Sequence, residues 1–269
     1  MRGFVSPLCL AGLGLVLGCA DDAPPSGESG STAATDSSVG GAGIVGMLID
    51  ANEQPIADED VLGCLATTCY FGKTAADGSF AFTIDPPAEV ALKTHPDPTR
   101  TPRWAAALEP IRLVDDDVVI DAGTVYVPEL PAGAVIDTNT DQAQVLAVGD
   151  GLELTVLAAD LSAAPGVFLY DLAAARIPDA HVPPYPELGD REVVAVFGLH
   201  PFETTCGSPI AVRLPTSLPD GTTVELSTID HLDGTLDAPV PGHVEAGFIV
   251  TDPGQGITRL THLVISRYP

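Results

Sequence analysis

Apart from Cys9 and Cys19 near the N-terminus, the side chains of this 269-residue sequence that could hold a metal, form a covalent bond or attack a substrate are three of its five cysteines, six histidines and two acidic runs. Cys64 and Cys69 have the spacing of half a zinc site, but a structural zinc needs a second ligand pair. No companion Cys or His pair lies near them. Their other chemistry is a disulfide closing the end of a hairpin, with free buried thiols as the alternative. Cys206 is then left over, either as a thiol in a β core or as half of an intermolecular disulfide. A catalytic thiol needs a paired base and activating surroundings. His200 is near in sequence, but Pro201 follows it and no triad pattern surrounds it. None of the histidines (95, 181, 200, 231, 243 and 262) forms an H-E-x-x-H or H-x₃-H pair. A site assembled from separate strands would draw on His231, His243 and His262, whereas scattered histidines usually sit on surfaces or in hydrogen bonds. Asp58-Glu59-Asp60 and Asp115-Asp116-Asp117 read as solvated loop charge, with weak Ca²⁺ binding as the alternative because hard cations take several loop oxygens. No G-x-S-x-G, P-loop or dinucleotide fingerprint is present. The expectation is therefore no catalytic residue, no metal centre and no cofactor.

Stepping outward from those residues, the N-terminus gives an address. One basic residue, Arg2, precedes an apolar run from Leu8 to Leu17 that ends in Val16-Leu17-Gly18-Cys19. The run is too short for a bilayer span, which takes about 20 residues. It resembles a bacterial lipoprotein signal peptide with its lipobox, although Val16 stands where Leu is commoner. The resemblance implies removal of residues 1–18 and lipidation of Cys19. An ordinary secretory signal cut near Ala20 is the alternative. With Ala20 after the cysteine, the resemblance implies an exported protein anchored by lipid at the outer membrane or cell surface. Residues 19–42 are rich in Ser, Gly, Ala, Thr, Pro and Asp without an apolar period. They read as a flexible tether with a span of about 25 Å.

Charge narrows the partners. The sequence has 11 basic and 37 acidic residues; losing Arg2 with the signal leaves ten against 37, a net of −27. A field of that sign repels phosphates, so nucleic acid is excluded as a partner, and so is adhesion to anionic lipid beyond the anchor.

The remaining chain punctuates short Val/Ile/Thr-rich runs with 25 Pro and 27 Gly, the pattern of an all-β chain. Gly43 to Asp50 reads as a strand. Val61 to Cys64 and Cys69 to Phe71 read as a hairpin. Asp77-Gly78 reads as a tight turn before Phe80, Phe82 and Ile84, which alternate into a core. Together with Gln54-Pro55-Ile56-Ala57 and the closing Asp121 to Val127, this set resembles the carboxypeptidase regulatory-like domain. That resemblance implies a transthyretin-like β-sandwich over 43–129, a structural module without catalytic residues. Its poorest match is His95 to Pro110. After a joint at Pro128 to Pro131, further strands are expected at 151–156, 193–197, 209–215, 223–230, 242–244, 247–250 and 260–265. Pro209 to Pro215, Gly221 to Leu226, Asp230 to Gly234 and Gly256-Ile257 resemble the Ig-like β-sandwich modules of bacterial surface proteins. The expected architecture is two tandem β-sandwich domains, 43–129 and 130–269, after the signal peptide and tether.

The function that follows is a non-enzymatic envelope or cell-surface lipoprotein with a structural, adhesive or binding role. The alternative is a saccharide- or peptide-binding envelope protein, and a metal-dependent hydrolase ranks below both. One Trp and five Tyr are few for a glycan binder. Binding to an envelope protein or glycan is expected from loops on the rigid scaffold. The candidates are Trp104, in the irregular stretch, and His181 and Tyr185 in the Pro-rich segment 177–190.

Overall fold

A computed structural model describes residues 43–84, 89–97, 100–112, 118–164, 167 and 169–269, all within one compact unit. Residues 1–42, which include the expected signal peptide, Cys19 and the expected tether, and Asp115 to Asp117 lie outside the described residues.

The chain is all-β, with nineteen strands among the described residues. The first seven are β1 (Gly43–Ile49), β2 (Asp60–Leu65), β3 (Thr68–Lys73), β4 (Ser79–Thr83), β5 (Glu89–Thr94), β6 (Leu108–Arg112) and β7 (Val119–Tyr126). They form two sheets, ordered β4-β1-β7 and β3-β2-β5-β6. The pairing of β1 with β7 is parallel and all others here are antiparallel. The sheets face each other across one core that includes Ile44, Leu48, Phe80, Phe82, Ile84 and Val90. The alternation read in β4 holds: Phe80 and Phe82 are buried between exposed Ser79, Ala81 and Thr83. Gly78 makes the preceding turn at φ 78°, and a Cβ there would meet the Leu48 carbonyl oxygen at 2.7 Å. Both facts require glycine.

The later strands are β8 (Ala134–Val135), β9 (Gln144–Gly149), β10 (Leu152–Val156), β11 (Leu161–Ser162), β12 (Asp171–Ile177), β13 (Glu192–His200) and β14 (Thr204–Pro215). They are followed by β15 (Thr223–Thr228), β16 (Val240–Glu245), β17 (Phe248–Thr251), β18 (Ile257–Leu260) and β19 (His262–Arg267). Hydrogen bonds run continuously along β8-β12-β13-β19-β15-β16-β17-β14-β10-β9, with β11 and β18 also on β14. The sheet curls until β9 returns beside β12 and β8. It encloses a second core containing Leu152, Leu172, Phe197, Ile210, Leu226 and Ile265. Cys206 lies on the inward row of β14 as a buried free thiol.

Cys64 and Cys69 face each other in the β2–β3 register and are joined by a disulfide. The loop it closes is short, so little unfolded-state entropy is removed. Replacing both with Ser should lower unfolding free energy by about 2–3 kcal/mol or less and leave the fold intact, measured by urea titration of oxidised wild type beside the variant.

Contacts cross the joint at Pro128 to Pro131. On β5, Val90 and Leu92 face the first core while Ala91 faces away from it. On β13, Ala195, Phe197 and Leu199 face the second core while Val196 faces away. The outward residues meet in a third apolar cluster with Leu108, Ile177, Tyr185, Leu188, Ile229 and Val264. Two sheets are thus covered on both faces, and a buried seam lies between them.

Candidate functional site

Two places on this scaffold gather polar side chains from distant parts of the sequence. The first is the Pro-rich segment after β12. Its prolines fix φ near −65° and remove N–H donors, so the segment forms two short 3₁₀ turns, Asp179–His181 and Pro186–Leu188. The first turn lays the His181 ring flat on Tyr126 of β7, with centroids 4.7 Å apart and planes 8° apart. Three carboxylates from three other segments bear on this pair. Burial, and then the charges of Asp50, Asp150 and Glu129, raise the Tyr126 hydroxyl above its ordinary range. Asp50 is held by the backbone N–H groups of Asn52 and Gln54, at 2.8 and 2.9 Å. Asp150 accepts from the Arg176 N–H at 2.7 Å.

The three residues singled out as contacts fare differently. His181 is half-buried, stacked on Tyr126. Tyr185, expected in a surface loop, is only 7% exposed and packs in the seam. The second 3₁₀ turn follows it directly, and the tyrosine ring lies among Leu108, Ile177, Leu188 and Val264. Its hydroxyl is buried without a partner, and burial raises its ionisation well above normal. Trp104 packs against the first core with the Arg100 guanidinium over its ring at 4.1 Å, so one face is already occupied.

The second place is at the seam. Lys93 is 3% exposed, on β5, and its Nζ is hydrogen-bonded to the Glu203 carboxylate from the β13–β14 connection. Glu203 Oε1 also lies 3.2 Å from His95 Nε2 and 3.8 Å from His231 Nε2. Phe202 meets both imidazoles edge-on, at 5.9 and 6.4 Å, and has Lys93 Nζ 5.8 Å from its centre. Burial pushes the Glu203 carboxyl up, but bonds from His95 and Lys93 and the charges of Lys93 and His231 outweigh it, down to about 2. Glu203 holds φ 63°, which costs a non-glycine residue about 1–2 kcal/mol. Three cation-capable neighbours offset that cost. Sequence reading missed this cluster, because no spacing links positions 93, 95, 203 and 231. The one available signal was a lysine inside an otherwise apolar run, Val90 to Leu92, ahead of Lys93.

Neither place carries a nucleophile beside a base. Among the described residues no group of three or more His, Cys, Asp and Glu has the arrangement to hold a metal. In the acidic run, Lys73 Nζ sits 3.2 Å from both Asp58 and Asp60, and Arg100 pairs with Glu59 at 2.5 Å. His243 lies 2.7 Å from Asp252, well apart from His231 and His262, which approach the seam instead.

No protein-family description matches the chain, and no curated protein matches it. Among solved structures, a proposed carbohydrate binding protein from Bacteroides uniformis is similar at 10% identity and a TM-score of 0.23, covering 84% of this chain and 79% of that one. Fervidolysin from Fervidobacterium pennivorans, a keratinolytic enzyme related to subtilisin, is similar at 14% identity and a TM-score of 0.24. The match covers 85% of this chain and 33% of fervidolysin. Likeness at this level sets neither a ligand nor a reaction.

Proposed function

We propose that this chain is an exported, lipid-anchored, non-enzymatic binding module whose two β-sandwiches, a regulatory-like one over 43–129 and an Ig-like one over 130–269, present an acidic surface to a basic envelope partner. One observation carries the reading. All ten Lys and Arg residues after the signal segment are engaged by carboxylates of the same chain, among them Lys73, Lys93, Arg191, Arg213 and Arg259. With 37 acids in the sequence, the surplus charge is all negative. Such a surface attracts cations and steers basic partners. The His181–Tyr126 stack beside Asp50, Glu129 and Asp150 is the place best built to receive one, since a cation gains from both aromatic faces and carboxylates. Exposed rings such as Phe71 and Tyr268 lie on separate strands and termini, which gives a saccharide no platform.

The test uses the mature chain and a fluorescent oligolysine peptide. Binding should weaken steeply with salt, and Glu129→Gln with Asp150→Asn should weaken it by about 2–5-fold per charge removed. Affinity indifferent to both substitutions counts against the site. In cells, Cys19→Ala should shift the protein from the membrane to the soluble fraction; unchanged retention counts against the anchor.

A further inference from the structure

Besides His181 on Tyr126, four of the six histidines lie at the seam between the sandwiches. His262, on β19, is 2% exposed; its Nε2 lies 2.8 Å from the Ala106 carbonyl oxygen across the seam. Its Nδ1 is buried without any partner. The backbones are close at this point, since a Cβ on Gly198, paired with His262 in the β13–β19 register, would lie 2.9 Å from Ala105 Cβ. His231 also has a buried, unpartnered Nδ1. His200 ends β13 beside the Arg103–Asp171 pair, and His95 reaches Glu203 from the opposite side.

A neutral imidazole needs one acceptor; an imidazolium needs two. His262 has one, the Ala106 carbonyl. Charging it would leave a buried N–H cation with no acceptor, a cost relieved only by admitting water. We propose that the seam is an acid-released joint, in which protonation of His262, with His200 and His231 following, separates the two sandwiches while each keeps its own core. The proposal does not depend on the basic-partner reading.

The groups facing each histidine set the direction. His262 meets the Ala106 carbonyl and no carboxylate, and burial holds it down at about 4. His200 is held at about 4 by burial and then Arg103, with Asp171 pulling the other way. His231 is lowered by burial, Lys93 and Arg259 against Glu203 and Asp230. These are lowered folded-state values, so the stability they represent is present above pH 6.5 and is lost as pH falls toward 4. Two groups oppose release. His95, 3.2 Å from Glu203, holds that carboxylate from the first sandwich, and Glu109 on β6 favours the closed seam as acid protonates it in the closed form, between about pH 8 and 4.5. Glu203 remains ionised throughout, so the Lys93 pair is not what lets go. Release therefore falls in the lower part of the window, below about pH 5. His200 and His262 each shift the open-to-closed ratio by up to about a hundredfold between pH 7 and 4. The seam is the weak link because its apolar cluster is smaller than either core.

The test is a deuterium pulse at fixed pH after incubating the mature chain between pH 7 and 3.5. The joint amides of Ala105 and Leu130, bonded to Pro128 and Arg103, should lose protection, while β4, β5, β10 and β14 stay protected. His262→Gln keeps an amide donor for the Ala106 carbonyl and cannot take the proton; it should move the release midpoint down by about half a pH unit or more. His200→Gln serves the same purpose if the first variant does not fold. A midpoint unmoved in the folded variants, or simultaneous loss of seam and cores, overturns the proposal.

Discussion

Lys93→Met should destabilise the folded chain by about 3–5 kcal/mol at pH 8, because it leaves the Glu203 carboxylate buried without its main cation. Lys93 is 3% exposed and Glu203 lies in the same enclosed cluster under Phe202. Repeating the comparison at pH 5.5 tests whether His95 at 3.2 Å and His231 at 3.8 Å, which face the same oxygen, make up for the lost ammonium. The double variant Lys93→Met with Glu203→Gln should recover most of the stability at both pH values, because no charge is then left unpaired. Urea unfolding at the two pH values reads all three quantities. A single variant that loses the same amount as the double would mean that the pair is solvated and the seam does not rest on it.

That cluster shows where sequence reading stops. Strands with one wet face were legible, because alternation marks them: β4 with Phe80 and Phe82, and β14 with Ile210, Val212 and Leu214. The turns at Asp77-Gly78 and Asp220-Gly221 were legible too, since both glycines hold positive φ, at 78° and 83°. The strands that build the seam were not. β5 is buried on both faces, so its sequence Glu-Val-Ala-Leu-Lys-Thr shows no period of two. β6 contains Pro110, which argues against a strand. β12 is Asp-Leu-Ala-Ala-Ala-Arg-Ile, whose alanines have poor β propensity but fit where two sheets approach closely. The same blindness misplaced Tyr185. Prolines mark a surface path for the backbone, but they do not say which way an aromatic ring between them turns. Here the seam accepts it.

Glu109→Gln should make the protein more stable, by an amount that grows with pH. Glu109 lies on β6 opposite Leu92 and next to Leu108 of the seam cluster. Burial alone raises its carboxyl from 4.5 to about 8. A raised folded-state value means that this carboxyl costs nothing below pH 4.5, where both states are protonated. Stability is then lost progressively as pH rises through 8, where the folded form must ionise in place. Above pH 8 the full penalty stands, and at about 1.4 kcal/mol per unit it cannot exceed roughly 5 kcal/mol. Glu109 is half-buried rather than sealed, which screens part of that, so the expected gain from Gln is about 2–4 kcal/mol at pH 9 and near zero at pH 4.5. Denaturant midpoints of wild type and variant from pH 4.5 to 9 decide the matter. A difference that stays flat over that range would place the carboxyl in water, outside the seam.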